Sequence, residues 1–228
     1  VPALSLLIEK SLGEIVGVYT QPDRPVGRGL EMRASPVKAR AQAACIPIFQ
    51  PEKLSAPGEF EKLAALKPDL IAVVAFGQIL RQNVLDLPRL GCFNVHSSLL
   101  PRWRGAAPIN WAILGGDSET GVTVQRMALK LDAGDIVYQS VTPIAAQESA
   151  GSLHDRLSAM GGEALLATIQ KVVDGTLSPR TQDEALVTYA SKLTKEMEKL
   201  DFSKSVLELD RQVRGLTPWP GTSFLLEM

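Results

Sequence analysis

Asp69-Leu70-Ile71-Ala72-Val73-Val74-Ala75-Phe76 is an unbroken apolar run, and such a run predicts a strand covered on both faces in a parallel sheet. Upstream, residues 60–66 read as a helix, residues 46–49 as a short strand, and residues 14–20 (EIVGVYT) as another strand. Ser35-Pro36 opens a helix to about Ala44, with Ser as cap and Pro at the first helical position. Residues 21–33 are a Pro/Gly/Arg stretch, too polar and broken for regular structure. Downstream, residues 92–97 read as a strand running into a loop, and residues 108–114 as a short helix. Residues 120–128 and 136–141 form two strands in a hairpin-like pair around a Gly-containing turn. Residues 152–173 form the longest helix, with Leu153, Leu157, Met160, Leu165, Ile169 and Val172 on one face, Ser152 and Asp155 resembling a capping box, and Gly175 as its stop. Strands alternating with helices predict an α/β, doubly wound, Rossmann-like and mostly parallel sheet, which binds ligands at the carboxyl ends of its strands.

With 228 residues, 45% of them hydrophobic, the chain is long enough for a full core. A net charge of −1 and a pI near 6.2 give no global nucleic-acid signature, so RNA contact requires a local patch. Cys45 and Cys92 sit in apolar surroundings and fit a reducing, cytoplasmic setting. No apolar run approaches the roughly 20 residues of a membrane helix. The chain opens directly on a helical pattern at Val1-Pro2-Ala3-Leu4, where an alternating α/β protein should first show a strand and turn. It stops inside an apparent strand at residues 223–228. The expected organisation is a catalytic domain over residues 1–190 lacking its first strand, then residues 191–228 as linker and start of a further domain.

Chemistry concentrates in two short segments, Cys92-Phe93-Asn94-Val95-His96 and Leu131-Asp132-Ala133-Gly134-Asp135. Asn94 and His96 are two apart, so a strand projects both from one face. An amide donor, an imidazole and a carboxylate that orients it make an acyl-transfer set without a nucleophile. Ser97 and Ser98 do not make a Ser–His hydrolase, because no G-x-S-x-G elbow is present. A metal site is the weaker reading, since the second histidine, His154, falls in the first turn of a helix as a solvent-facing residue. Asp135 is read as structural beside Asp132.

Residues 94–109 read NVHSSLLPRWRGAAPI, residues 22–29 read PDRPVGRG, and Thr217-Pro218-Trp219-Pro220 follows near the end. Their order and spacing resemble the methionyl-tRNA formyltransferase family of the formyltetrahydrofolate-dependent enzymes along nearly the whole chain. The resemblance implies transfer of the formyl group of 10-formyltetrahydrofolate to the amino group of methionyl initiator tRNA, by a monomer without metal. It assigns catalysis to Asn94, His96 and Asp132, and folate contact to Ser98, Leu99, Leu100 and Pro101, with the residues 75–80 turn lining the pterin pocket. It also implies a preceding strand and turn, and a C-terminal β-barrel beginning here.

Residues 21–40 carry Arg24, Arg28, Arg33, Lys38 and Arg40 against Asp23 and Glu31, a surplus that suits a phosphate backbone. Arg24 and Arg28 are assigned to tRNA, as are Arg102 and Arg104 flanking Trp103, a stacking surface beside the catalytic strand. Two rivals remain: a formyltransferase or formyl-folate hydrolase acting on a small acceptor, and a non-catalytic folate- or RNA-binding protein of the same fold. The small-acceptor reading leaves the basic loop unexplained, and an intact trio argues against the silent one.

Overall fold

The computed structural model describes residues 1–26 and 31–225. Helix α1 (Pro2–Lys10) begins with Pro in its first turn, and Ser11 ends it in a left-handed conformation. Strand β1 (Val18–Tyr19) is shorter than expected and pairs in parallel with β4 (Ile48–Phe49). Between them lies a departure from the sequence reading. The Pro/Arg stretch is not wholly irregular: β2 (Arg24–Val26) and β3 (Glu31–Arg33) form an antiparallel pair, with Arg24 opposite Arg33. Its polar side chains hid the pattern because all three β3 residues are exposed. Helix α2 (Pro36–Ala43) starts as expected, with the Ser35 hydroxyl accepting from the Lys38 N–H.

Helix α3 (Glu59–Ala65) leads to β5 (Ile71–Val74), the strand predicted by the apolar run. It lies in a four-stranded sheet ordered β5, β6 (Cys92–His96), β8 (Glu119–Arg126), β9 (Ile136–Pro143). β5 and β6 are parallel, whereas β8 and β9 run antiparallel as the expected hairpin, with a register shift between Val124 and Gln125. β5 is not covered on both faces, and Val74 is 48% exposed. Ile71 and Val73 pack with the cluster of Leu54, Leu63, Leu80 and Val84, whereas Ala72 and Val74, on the other face of this edge strand, are exposed.

The short helix α4 (Gln82–Leu85) precedes β6; β7 (Arg104–Gly105) and α5 (Pro108–Leu114) follow it. Helix α6 (Ala150–Val173) lies across one face of the sheet and buries Leu153, Leu157, Ala164 and Leu165 against Phe93, Val95, Val122 and Val124. It begins two residues earlier than expected, and its capping box pairs Ser149 with Ser152 rather than Ser152 with Asp155. The strand alternation that sends Phe93 and Val95 to this core sends Cys92, Asn94 and His96 to the opposite face. Beyond α6, β10 (Tyr189–Ala190) pairs in parallel with β7, and α7 (Val206–Gly215) is capped by a Ser205–Glu208 box. No described helix is long and apolar enough to cross a membrane.

Candidate active site

The site grows from the face of β6 turned away from α6. Antiparallel pairing sets Asn94 beside Gln125 and His96 beside Thr123, while Gln139 of β9 lies opposite Thr123. A polar strip therefore crosses three strands. Thr123 and Gln125 are buried, and buried polar groups persist only when hydrogen-bonded. Both are: Thr123 Oγ1 donates to the Ser98 carbonyl at 2.6 Å, and Gln125 Nε2 donates to Asp132 Oδ1 at 3.0 Å.

His96 is 6% exposed, and its Nε2 lies 2.8 Å from the Trp103 carbonyl oxygen. A carbonyl only accepts, so Nε2 carries the hydrogen and donates it. In a neutral ring the lone pair then sits on Nδ1, which is 3.7 Å from Asp132 Oδ2, beyond hydrogen-bond length. Asp132 is gripped from both sides, since Oδ2 also accepts from the Gly105 N–H at 2.9 Å. The three residues singled out by sequence thus converge: Asn94 and His96 share one strand face, and Asp132 reaches the histidine from the β8–β9 turn. Asn94 is half-buried.

Ser98 and Leu100 are buried, whereas Leu99 and Pro101 are half-buried. Ser98 Oγ donates to the Arg102 carbonyl at 2.6 Å, and the Leu100 N–H donates to Thr123 Oγ1 at 3.1 Å. The loop is held from beneath, so Leu99 and Pro101 are its available surface. Beside it runs a cleft of about 250 Å³ lined by Leu99, Arg102, Trp103, Asp117, Ser118, Glu119 and Thr120.

The four arginines fare differently. Arg24 is exposed, and Arg28 lies outside the described residues. Arg102 forks onto Asp117 at 2.9 and 2.5 Å and stacks 4.5 Å above the Trp103 ring, with its side chain still 45% exposed. Arg104 overturns its assignment. It is 0% exposed, and its guanidinium donates to Gln182 Oε1 at 3.0 and 2.8 Å and to Glu184 Oε1 at 2.8 Å. A guanidinium enclosed this way cannot meet an RNA phosphate. Arg104 and Lys130 in turn pull the Glu184 carboxyl down to about 2 by hydrogen bonding and charge. Lys38, counted among the basic surplus, is ion-paired with Asp23, whose carboxyl is lowered by hydrogen bonds from Lys38 and Gln50. The pair leaves the net surplus of residues 21–40 unchanged but withdraws Lys38 from any phosphate contact.

The residues that sequence reasoning missed are Gln125, Gln182 and Gly105; Trp103 was read as a stacking surface, and the hold of its carbonyl on His96 was not foreseen. Gln125 carried a signal, a polar residue inside the strand predicted over 120–128, although its place beside Asn94 did not. Gln182 carried none, because it lies in a polar connector where glutamine is unremarkable. His154 is solvent-facing as expected, with its ring 3.2 Å from Asp155. The residues 75–80 turn contains Ile79, 82% exposed, while Gln78 holds the Leu54 N–H at 2.7 Å.

Residues 4–169 match the formyl transferase family, and residues 192–228 match the formyl transferase C-terminal domain. The chain is 56% identical to a methionyl-tRNA formyltransferase of Pseudomonas putida (strain W619) over 207 residues, 91% of this chain and 67% of the relative. It is 53% identical to the methionyl-tRNA formyltransferase of Pseudomonas syringae pv. syringae (strain B728a), covering 91% of this chain and 66% of that protein. It thus spans about two thirds of the length of these relatives. Among solved structures, the sugar 3N-formyl transferase WlaRD superposes with a TM-score of 0.71 at 21% identity, covering 94% of this chain and 74% of that one. HypX from Aquifex aeolicus, in complex with tetrahydrofolic acid, gives 0.62 at 21% identity over 81% of this chain and 32% of that one. The two domain matches and the identity to the Pseudomonas proteins together place the chain: it belongs to the formyl transferase family, alongside the methionyl-tRNA formyltransferases.

Proposed function

We propose that the chain catalyses transfer of a formyl group from 10-formyltetrahydrofolate to the amino group of methionyl initiator tRNA, in the cytoplasm, as a monomer. The observation that carries the reading is the meeting of Asn94, His96 and Asp132 at the end of β6 in a chain 56% identical to a methionyl-tRNA formyltransferase. In this reaction the amine nitrogen attacks the formyl carbon, a C–N bond forms, and the bond to the folate nitrogen breaks. One proton passes from the amine to the departing nitrogen.

Each residue has a role set by its surroundings. The Asn94 side-chain amide donates to the oxygen that becomes negative in the tetrahedral intermediate. His96 takes the proton on Nδ1, because Nε2–H is occupied by the Trp103 carbonyl. The charge so created faces the Asp132 carboxylate, while the Trp103 carbonyl fixes the ring's position. No protein nucleophile is needed, since the substrate amine attacks directly. Leu99 and Pro101 contact the folate, while Ser98 and Leu100 shape their loop. Arg24, Arg28 and Arg102 meet the tRNA. The same reading divides the chain into a catalytic unit over residues 1–190 and the linker and start of a C-terminal domain over 191–228.

The test is formyl transfer by the protein that carries this chain, with 10-formyltetrahydrofolate as donor and Met-tRNA, a small amine and water as competing acceptors. Formyl-Met-tRNA as dominant product supports the reading. Transfer to the small amine or to water instead would replace it.

A further inference from the structure

Asp132 has φ +48°, in the left-handed region that a non-glycine residue enters only at a cost. Trp103, whose carbonyl holds His96, has φ +63°. Such conformations persist only where the surroundings over-determine them. Two amides hold the Asp132 turn: Gln125 Oε1 accepts from the Gly134 N–H at 3.1 Å, and Gln182, 6% exposed, donates through Nε2 to the Asp132 carbonyl at 2.8 Å and the Gly134 carbonyl at 2.7 Å. The other atom of the Gln182 amide, Oε1, accepts both Arg104 bonds, so the amide cannot rotate without losing four contacts. Arg104 follows Trp103 and precedes Gly105, whose N–H holds Asp132 Oδ2. One buried amide therefore joins the backbone of the Asp132 turn to the segment that holds His96.

We propose, resting on the formyl-transfer reading, that Gln182, locked by Arg104, is a positioning residue that sets the Asp132 carboxylate against His96. The arrangement has two supports for one carboxylate. Gln125 and the Gly105 N–H hold its oxygens, while Gln182 holds the backbone that carries it. Gln125 holds the turn only at the Gly134 N–H, so without Gln182 the Asp132 peptide can shift out of its left-handed conformation, moving Oδ2 relative to Nδ1. Displacements of about 1 Å in such geometry cost on the order of 10²-fold in rate.

The test uses Gln182→Glu, which keeps an acceptor for Arg104 but replaces the donor to both carbonyls with a repelling oxygen. Gln182→Met, similar in volume and without either function, is the second variant, and thermal melting establishes that both are folded. The expected result is a fall in kcat on the order of 10–100-fold with KM for the folate donor nearly unchanged. In the Asp132→Ala background, Gln182→Glu should cause almost no further loss, because a residue acting only through Asp132 has nothing left to position. Amide exchange at Gly105 should quicken in both variants, a readout independent of activity. Full kcat in the folded variants, an additive loss with Asp132→Ala, or unchanged Gly105 exchange would each overturn the proposal. A wild type that forms no formyl-Met-tRNA would instead overturn the functional reading, and Gly105 exchange would then decide the positioning role by itself.

Discussion

The Gly105 N–H and the His96 ring converge on the same oxygen, Oδ2 of Asp132, at 2.9 and 3.7 Å. The shorter contact is a hydrogen bond and the longer is not, so in this arrangement the carboxylate is anchored to the backbone and only faces the imidazole. That order suits a group that must receive charge during reaction without moving.

Removing the imidazole tests its role directly. His96→Ala should fold and lose roughly 10²–10⁴-fold in kcat, the usual contribution of a positioned acid–base group. Asn94→Ala should lose on the order of 10²–10³-fold, as for an oxyanion donor. Steady-state formylation assays decide both, and near-wild-type turnover in folded His96→Ala would end the proposed mechanism.

Two arginines that look alike in sequence should behave oppositely. Arg28→Glu should lower kcat/KM for Met-tRNA at low salt and spare folate binding, with the deficit shrinking as salt rises, because screening weakens phosphate contacts. Arg104→Met should instead lower stability by about 1–3 kcal/mol, through the unpaired Gln182 left inside, and show little salt dependence. If Arg28→Glu left tRNA kinetics unchanged, the small-acceptor reading would regain ground.

Gly105 has φ +125°, and a Cβ there would stand 2.5 Å from the Ala190 carbonyl oxygen. Gly105→Ala should therefore destabilise the protein by roughly 2–4 kcal/mol from backbone strain and steric displacement together. It should also lower kcat, because its own N–H holds Asp132. A calorimetric melt and an activity measurement on the folded fraction check the two effects separately.

The cysteines should differ in reactivity. Burial pushes the Cys92 thiol up to about 11, while Cys45 is exposed. At pH 8 a thiol reagent should modify Cys45 readily and Cys92 only after denaturation, since the thiolate is the reacting form. Because the folded thiol holds its proton more tightly than the unfolded one, Cys92 should weaken stability as pH rises from about 9 towards 11. Equal labelling rates in the native protein would contradict the burial argument.

Sequence made the reacting residues legible because strand alternation is local: Asn94 and His96 share a face wherever β6 lies. The hairpin around Asp132 was legible for the same reason, with its strands only a turn apart. The contacts that hold the trio were not. Arg104 and Gln182 are 78 positions apart, and Tyr189 pairs with Arg104 through a two-residue strand too short to show periodicity. The arginine was misread for a physical reason, since flanking charge and an aromatic neighbour look the same whether the guanidinium faces solvent or an internal amide. The apolar run at 69–76 predicted the strand but not its exposure, because coverage depends on what packs over each face.

The pairing of β7 with β10 has a mechanical consequence. The Arg104 N–H and Ala106 N–H donate to the Thr188 and Ala190 carbonyls, and Trp111 Nε1 donates to the Ser191 carbonyl. The residues matched to the C-terminal domain begin at 192, immediately after these clasps. The stretch between the two matched regions is thus itself a wall of the catalytic centre, and the chain past it is clasped again: Asn110 Nδ2 donates to the Gly215 carbonyl, the Gly151 N–H to the Thr217 carbonyl and Arg214 Nη1 to the Glu148 carbonyl. A pull from the C-terminal side therefore meets the α7 clasps before it reaches Ala190 and the backbone of Gly105, whose N–H holds Asp132. Two successive sets of contacts thus shield the carboxylate that faces His96 from movement on that side.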